Sequence, residues 1–276
     1  MQDFSAWVGR SETMDDTVSP GQLVGLAALL DHEAPPAGAA APLLAHWLHF
    51  LPRVPQSRLD TDGHPKRGGL LPPIPLPRRM WAGGRLDFHA PLLPGAAIQR
   101  TSTIASVRHK AGASGELVFV TIRHDVSSDG QLAIVEEQDI VYREAAGATA
   151  PAPAAPAPQP HPDIVRPMQA DTVQLFRYSA LTFNAHRIHY DRDYARDVEG
   201  YAGLVVHGPY LATLLLAEFQ RAAPGKRIAS FRFRAMAPLL DSERFELCLA
   251  WTEGGARLWT RTAAGQVTMV ADVGVA

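Results

Sequence analysis

Residues 203–221 read GLVVHGPYLATLLLAEFQR. Pro209 suits the first turn of a helix, where its missing N–H would have had no partner. The run from Tyr210 to Arg221 is apolar nearly all round, so its helix is expected to be buried. After Pro224-Gly225 come strand-like runs at 228–235, 244–252, 257–262 and 267–273, with turns at Gly254-Gly255 and Ala264-Gly265. Upstream, Val173 to Ala180 (VQLFRYSA) reads as a strand, followed by a stretch rich in His, Asp and Arg up to Tyr201. The pattern is one buried helix followed by an antiparallel meander.

The first half repeats that order. Ser19-Pro20-Gly21-Gln22 resembles a capping box with proline at the first helical position. Leu23 to Leu30 is an apolar helix, and strand-like runs follow at 85–89, 98–109, 117–125 and 133–142. RLDFHAPLL (85–93) matches RFRAMAPLL (232–240) at an offset of 147 residues, which points to two copies of one unit. Pro20 and Pro91 lie 71 residues apart, but Pro209 and Pro238 only 29, so the first copy carries 42 extra residues within Asp31 to Gly84. Long irregular insertions in compact domains are usually functional or disordered, and Trp47, Trp81 and many apolar residues argue for an ordered one. The segment 145–162, AAGATAPAPAAPAPQPHP, cannot bury a core and reads as an extended linker. The expected division is an N-terminal unit 1–144, a linker 145–162 and a C-terminal unit 163–276.

The chain has 276 residues, 46% hydrophobic and 20% charged, with a formal net charge of −2. That balance argues against bulk electrostatic binding to nucleic acid or to an anionic membrane. The single cysteine, Cys248, excludes an intrachain disulfide framework and a four-cysteine zinc site. No apolar run reaches the roughly 18 residues of a membrane span. Met1-Gln2-Asp3-Phe4 opens no signal peptide pattern, so a cytoplasmic address is expected.

Chemistry gathers in Leu181-Thr182-Phe183-Asn184-Ala185-His186-Arg187-Ile188-His189-Tyr190-Asp191 and in His207-Gly208, just before the buried helix. A helix start offers free N–H groups and partial positive charge, suited to polarise a carbonyl as charge develops on its oxygen. A nearby histidine moves protons near neutral pH. Singly, Asn184 and Asp191 would be turn and cap formers and the histidines satisfied core groups. His186-x-x-His189 with Asp191 fixes no complete ligand set by spacing, so no metal is expected. No phosphate loop, dinucleotide fingerprint or nucleophile elbow is present.

Asn184-x-His186-x-x-His189-x-Asp191, then Tyr194-Ala195, Gly203 and His207-Gly208, resembles the MaoC-like hydratase/dehydratase motif of the hotdog superfamily. The runs 175–191 (LFRYSALTFNAHRIHYD), 64–69 (HPKRGG), 75–85 (PLPRRMWAGGR) and 136–144 (EEQDIVYRE) are similar to the hydroxyacyl-thioester dehydratase type 2 and mesaconyl-C4-CoA hydratase group. The resemblance implies an α+β double hotdog, two long helices each wrapped by an antiparallel sheet, with a degenerate first half. It implies that His189 is the catalytic histidine and that the Gly208 N–H meets the thioester carbonyl. The family's catalytic aspartate falls at Asn184, which can hold water but cannot take its proton. His186 takes the place of the family's asparagine, so the base is His189 or His186. Tyr194 and His207 belong to the same motif and are expected at the substrate.

Lys66, Arg67, Arg78, Arg79 and Arg85 read either as solvated charges or as a site for a carboxylate or CoA phosphates. The resemblance favours the second reading. The implied activity is addition or removal of water at an enoyl-thioester, with a short branched dicarboxylyl-CoA as substrate. In it His189 deprotonates water, and the proton is returned at the α-carbon. No cofactor is expected beyond the coenzyme A of the substrate, and the partner is that small molecule. The chain is expected to be a monomer or a homodimer. A fatty-acid dehydratase, a thioesterase and a non-catalytic acyl-CoA binder stay open as alternatives.

Overall fold

The computed structural model describes residues 3–36, 38–112, 115–144 and 157–276. Most of the expected linker, residues 145–156, lies outside them. The strands are β1 (Ser11–Thr17), β2 (Arg78–Phe88), β3 (Ala97–Gly112), β4 (Gly115–Ser128) and β5 (Gln131–Arg143) in the first half. The second half holds β6 (Ile164–Gln169), β7 (Ile228–Ala235), β8 (Arg244–Thr252), β9 (Gly255–Thr262) and β10 (Val267–Val275). They form one antiparallel sheet in the order β1-β3-β4-β5-β2-β7-β10-β9-β8-β6. The helices are α1 (Pro20–Leu29), α2 (Thr172–Thr182), α3 (Arg192–Asp197) and α4 (Gly208–Ala222). Among the described residues no helix is long and apolar enough to cross a membrane.

The two copies of the repeated segment meet at the centre of the sheet. β2 pairs with β7, and Arg85 stands directly opposite Arg232. These are the residues that open the two repeats, so the local twofold relation passes through that pair. Like charges directly opposite on a sheet repel. Arg85 is clamped by Glu137 at 2.8 Å and Asp139 at 2.6 Å, which removes the conflict. Gly83 lets the strands approach: a Cβ there would sit 2.5 Å from the Phe233 carbonyl oxygen.

α4 is buried as its composition demands, with Leu215 and Tyr210 both at 0% exposure. It shares one core with the Leu23 and Leu29 side chains of the first half and with the inner faces of β7 to β10. The insertion covers the outer face of the first-half sheet. There Ile74 and Leu76 pack with Phe4, Val118, Val120 and Tyr142 in a second cluster. Burying those side chains holds an otherwise irregular segment in place.

Four local expectations are corrected. Residues 173–180 form helix α2, not a strand. Asp171 caps it, accepting from the Gln174 N–H while the Gln174 side chain accepts from the Asp171 N–H. The buried residues Leu175 and Tyr178 are three apart, a helical spacing, and Phe176 between them is exposed. The Ser19 capping box does not form: the Ser19 side chain makes no cap bond, and its N–H donates to His49 Nε2 at 2.9 Å. The first-half helix is short, 10 residues against 15 in α4. Strands β1 and β6 close the two ends of the sheet where no strand was expected.

Leu215→Ala should lower unfolding free energy by about 3 kcal/mol, through lost burial and the cavity left behind. Urea unfolding followed by circular dichroism measures this, and a loss below about 1 kcal/mol would mean that α4 is not the centre of the core.

Candidate active site

α2 ends at Phe183, whose positive φ of 48° turns the chain. The Asn184 N–H returns to the Ser179 carbonyl, and Asn184 Oδ1 accepts the His186 N–H at 2.9 Å. The Asn184 side-chain oxygen is therefore spent on the turn, which leaves its amide NH2 as a donor on a residue that lines the cleft. One helical turn (Arg187–His189) follows, and Asp191 then caps α3 by accepting from the Tyr194 N–H. Asp191 also pairs with Arg187 at 2.8 Å, and that guanidinium lies 4.0 Å over the Tyr194 ring.

His189 is buried, and its Nδ1 donates to the Val205 carbonyl at 2.7 Å. That bond fixes the proton on Nδ1 and leaves Nε2 as a lone pair. Burial pushes its pKa down to about 4, against the pull of the Val205 carbonyl, so the ring is neutral at pH 7. His189 stacks on His207 with ring centroids 3.6 Å apart, and His207 Nε2 meets Ser179 Oγ at 2.9 Å. Burial holds His207 far below the usual histidine range too. His207 precedes α4, and Gly208 is its first residue, where N–H groups lack helical partners.

The insertion completes the site. The Arg187 N–H donates to the Asp62 carbonyl at 2.9 Å, which docks the insertion on the histidine loop. Gly63 makes the contact sterically feasible: it has φ +91°, and a Cβ there would lie 1.8 Å from the Ala185 carbonyl oxygen. This brings His64 against His186, with ring centroids 4.1 Å apart. His186 in turn meets His189 edge-on at 5.4 Å. His64 Nδ1 donates to Asp62 Oδ2 at 2.9 Å, and the same carboxylate accepts the His64 N–H. Burial alone would raise Asp62, but its bonds from His64 and the nearby His186 hold it below the usual carboxylate range. Burial, then His64 and His189, depress His186 to about 2.

These groups line a cleft of about 2530 Å³ shared by both halves, among them Asp62, His64, Asn184, His186, His189 and Gly208. The volume exceeds the 300–1,000 Å³ of a site for a drug-sized ligand. It suits a long substrate. Asp62, His64 and His186 are also the one group among the described residues whose potential ligand atoms gather within 4.8 Å. The Asp62 carboxylate is already satisfied by His64, and two imidazoles fall short of the three protein ligands of a catalytic zinc.

The sequence candidates divide sharply. His189, Asn184, His186 and Gly208 come together on the cleft. Tyr194 is buried under Arg187, and His207 stands behind His189, so both support the wall rather than form it. Arg85 is spent on Glu137 and Asp139. Arg67 donates to the carbonyls of Ile74, Leu76 and Pro77, and Lys66 to that of Ser57. Arg78 donates to the Glu199 carbonyl at 2.6 Å and faces its carboxylate at 3.4 Å. Arg79 lines the cleft, and among the described residues no carboxylate pairs with it. The Asp62–His64 pair was not singled out from sequence as a catalytic group. Its signal was present, an Asp-Gly turn leading into a histidine within the basic stretch of the insertion.

The sequence pattern of the family described as hydroxyacyl-thioester dehydratase type 2 matches residues 44–241. The mesaconyl-C4-CoA hydratase of Chloroflexus aurantiacus is 50% identical over 247 residues, 89% of this chain and 88% of that protein. The mitochondrial hydroxyacyl-thioester dehydratase type 2 of Schizosaccharomyces pombe is 29% identical over 239 residues, 78% of each. A double hotdog protein of Mycobacterium tuberculosis superposes with a TM-score of 0.61 at 17% identity, covering 97% of this chain and 96% of its own. The fold is therefore a double hotdog.

Gly63→Ala should separate the insertion from the histidine loop and cost about 2 kcal/mol or more in stability. Chemical denaturation together with hydrogen exchange at residues 184–190 reads both effects. Unchanged protection of that loop would show that the docking does not hold it.

Proposed function

The chain belongs to the hydroxyacyl-thioester dehydratase type 2 family, whose members are hydro-lyases, and on that premise we propose that it reversibly hydrates a short, branched dicarboxylyl enoyl-CoA of the mesaconyl-C4-CoA or itaconyl-CoA type. The carrying observation is the juxtaposition of an imidazole with a committed Nδ1–H, His189, and the first N–H of α4 at Gly208 on one cleft. The Gly208 N–H polarises the thioester carbonyl and stabilises the enolate as water attacks the β-carbon. The Asn184 amide donates to the water oxygen, and His189 Nε2 accepts from a water O–H. The proton leaves water for a neutral imidazole of the cleft and is returned at the α-carbon. Because burial keeps these rings unprotonated at pH 7, they enter the reaction as bases.

The dicarboxylyl reading rests on Arg79 and on the similarity to a mesaconyl-C4-CoA hydratase. Of the five basic candidates, Arg79 is the one whose guanidinium meets no carboxylate or carbonyl among the described residues, which leaves it to a free substrate carboxylate. Arg78, Arg67 and Lys66 shape the wall around it. Asp191 caps α3 and pairs with Arg187, so it is not placed to activate water in a thioesterase. The reaction needs no cofactor besides the coenzyme A carried by the substrate, and a cytoplasmic address fits that chemistry.

Purified protein given mesaconyl-C4-CoA, itaconyl-CoA and crotonyl-CoA should remove the enoyl-thioester absorbance of a dicarboxylyl substrate without releasing thiol. Arg79→Ala should raise KM for that substrate by about 10- to 100-fold, the worth of a charged hydrogen bond, with crotonyl-CoA barely affected. Thiol release would show a thioesterase, and an equal effect of Arg79→Ala on both substrate classes would remove Arg79 from carboxylate recognition.

A further inference from the structure

The second half of this chain lacks the carboxylate that the family motif pairs with its histidine, since Asn184 stands there. The cleft nevertheless places a carboxylate beside the imidazoles of this loop, and it arrives from the first half. Asp62 Oδ2 is 2.9 Å from His64 Nδ1, and His64 lies against His186, which meets His189. We propose that His64, oriented by Asp62, is a second catalytic residue of the hydration and shares with His189 the role of base. The proposal rests on the hydratase reading above and deepens it.

A water molecule has two O–H groups to donate. Two imidazoles on the cleft have Nδ1–H already committed, His189 to the Val205 carbonyl and His64 to the Asp62 carboxylate. Each is left with Nε2 as an acceptor. Water held between them, with the Asn184 amide donating to its oxygen, is aimed by three groups.

The two imidazoles differ in what supports a positive charge. The partner of His189 is a neutral carbonyl, whereas that of His64 is an anion, so the imidazolium is better stabilised on His64. In hydration the water oxygen bonds to the β-carbon, and its O–H pair stays on that oxygen as the proton passes to His64 Nε2. The C=C pair moves toward the thioester carbonyl as the enolate. The enolate then takes the proton from His64 at the α-carbon, which restores neutral His64 and the carbonyl. One water is consumed, and no other proton is gained or lost. His64 is thus a catalytic residue in this scheme and Asp62 a positioning residue.

The groups that face His64 are Asp62, which favours its cation, and Arg79, Arg67, His186 and His189, which oppose it. Removing Asp62 leaves the guanidiniums of Arg79 and Arg67 as the charges acting on the ring, and both oppose its cation. Asp62→Asn should therefore move the acid limb of the kcat profile to lower pH by about one unit, while also lowering the plateau. A purely structural role for Asp62 would lower the plateau without moving the limb.

The test is steady-state hydration of mesaconyl-C4-CoA by the full chain and its variants, with thermal unfolding as the control for fold. His64→Asn keeps a donor for Asp62 but has no Nε2, and His64→Gln serves as the second variant. Either should lower kcat by about 100-fold or more with KM changed little, as for the loss of an acid–base group. Treatment of wild type with EDTA should leave the rate unchanged. Folded His64 variants within about threefold of the wild-type rate, or an acid limb unmoved in Asp62→Asn, would overturn the proposal. So would activity lost to EDTA and restored by zinc, because His64 would then be a ligand. A wild type that hydrates none of the thioesters sinks the hydratase reading itself, a result distinct from an active wild type with unaffected variants.

Discussion

The site depends on one backbone contact, the seating of Asp62-Gly63 of the insertion on Ala185 and Arg187. The Arg187 N–H reaches the Asp62 carbonyl, and Gly63 passes so close to the Ala185 carbonyl that no side chain fits. Without that seating the second half would offer His189, His186 and Gly208 alone, with no carboxylate beside them. With it, the wall of the cleft closes, and an anion and an imidazole from the first half, Asp62 and His64, join His186 and His189 of the second. The insertion can do this because its other side is anchored. Ile74 and Leu76 are buried on the outer face of β3 to β5, and Arg67 holds the carbonyls of the same stretch.

The two halves are welded before the site is built. β2 and β7, the paired copies of the repeat, make the sheet continuous, and the clamp of Glu137 and Asp139 on Arg85 offsets the facing arginines. The division of labour between halves follows from their helices. α4 is long, apolar and buried along most of its length, and presents its start to the cleft. α1 is shorter, and the backbone N–H at its N-cap Ser19 is already taken by His49. Burial then sets the protonation state: His189, His186 and His207 are all driven below the usual histidine range, which makes them neutral at pH 7.

Much of this was legible in the sequence, for reasons that can be named. A nearly all-apolar run after His-Gly-Pro has no stable place except the core. The meander runs are set off from one another by turn residues at Gly254-Gly255 and Ala264-Gly265. The repeat at offset 147 marked the strands that meet at the centre of the sheet. α2 was misread because VQLF reads as strand when the capping pair Asp171 and Gln174 is overlooked. The motif spacing brought Asn184, His186, His189 and Gly208 to one cleft, because short loops and a helix start fix their separation. Asp62 and His64 could not be placed that way. They lie some 120 residues upstream in a segment whose path is set by tertiary packing. Nor does composition tell which arginine is free: Arg85, Arg67 and Arg78 are spent on internal partners that only the folded chain brings near.

The hydration scheme requires two neutral imidazoles from different halves, His189 and His64, to present Nε2 lone pairs to one cleft. Nitrogen-15 NMR of the histidine rings at pH 7, with assignment by single His→Gln substitutions, reports the tautomer of each directly. Both rings should be neutral with the proton on Nδ1, and both Nε2 signals should shift when a non-reactive saturated acyl-CoA is added. A proton on Nε2 of either ring, or an imidazolium at His189, would contradict the scheme.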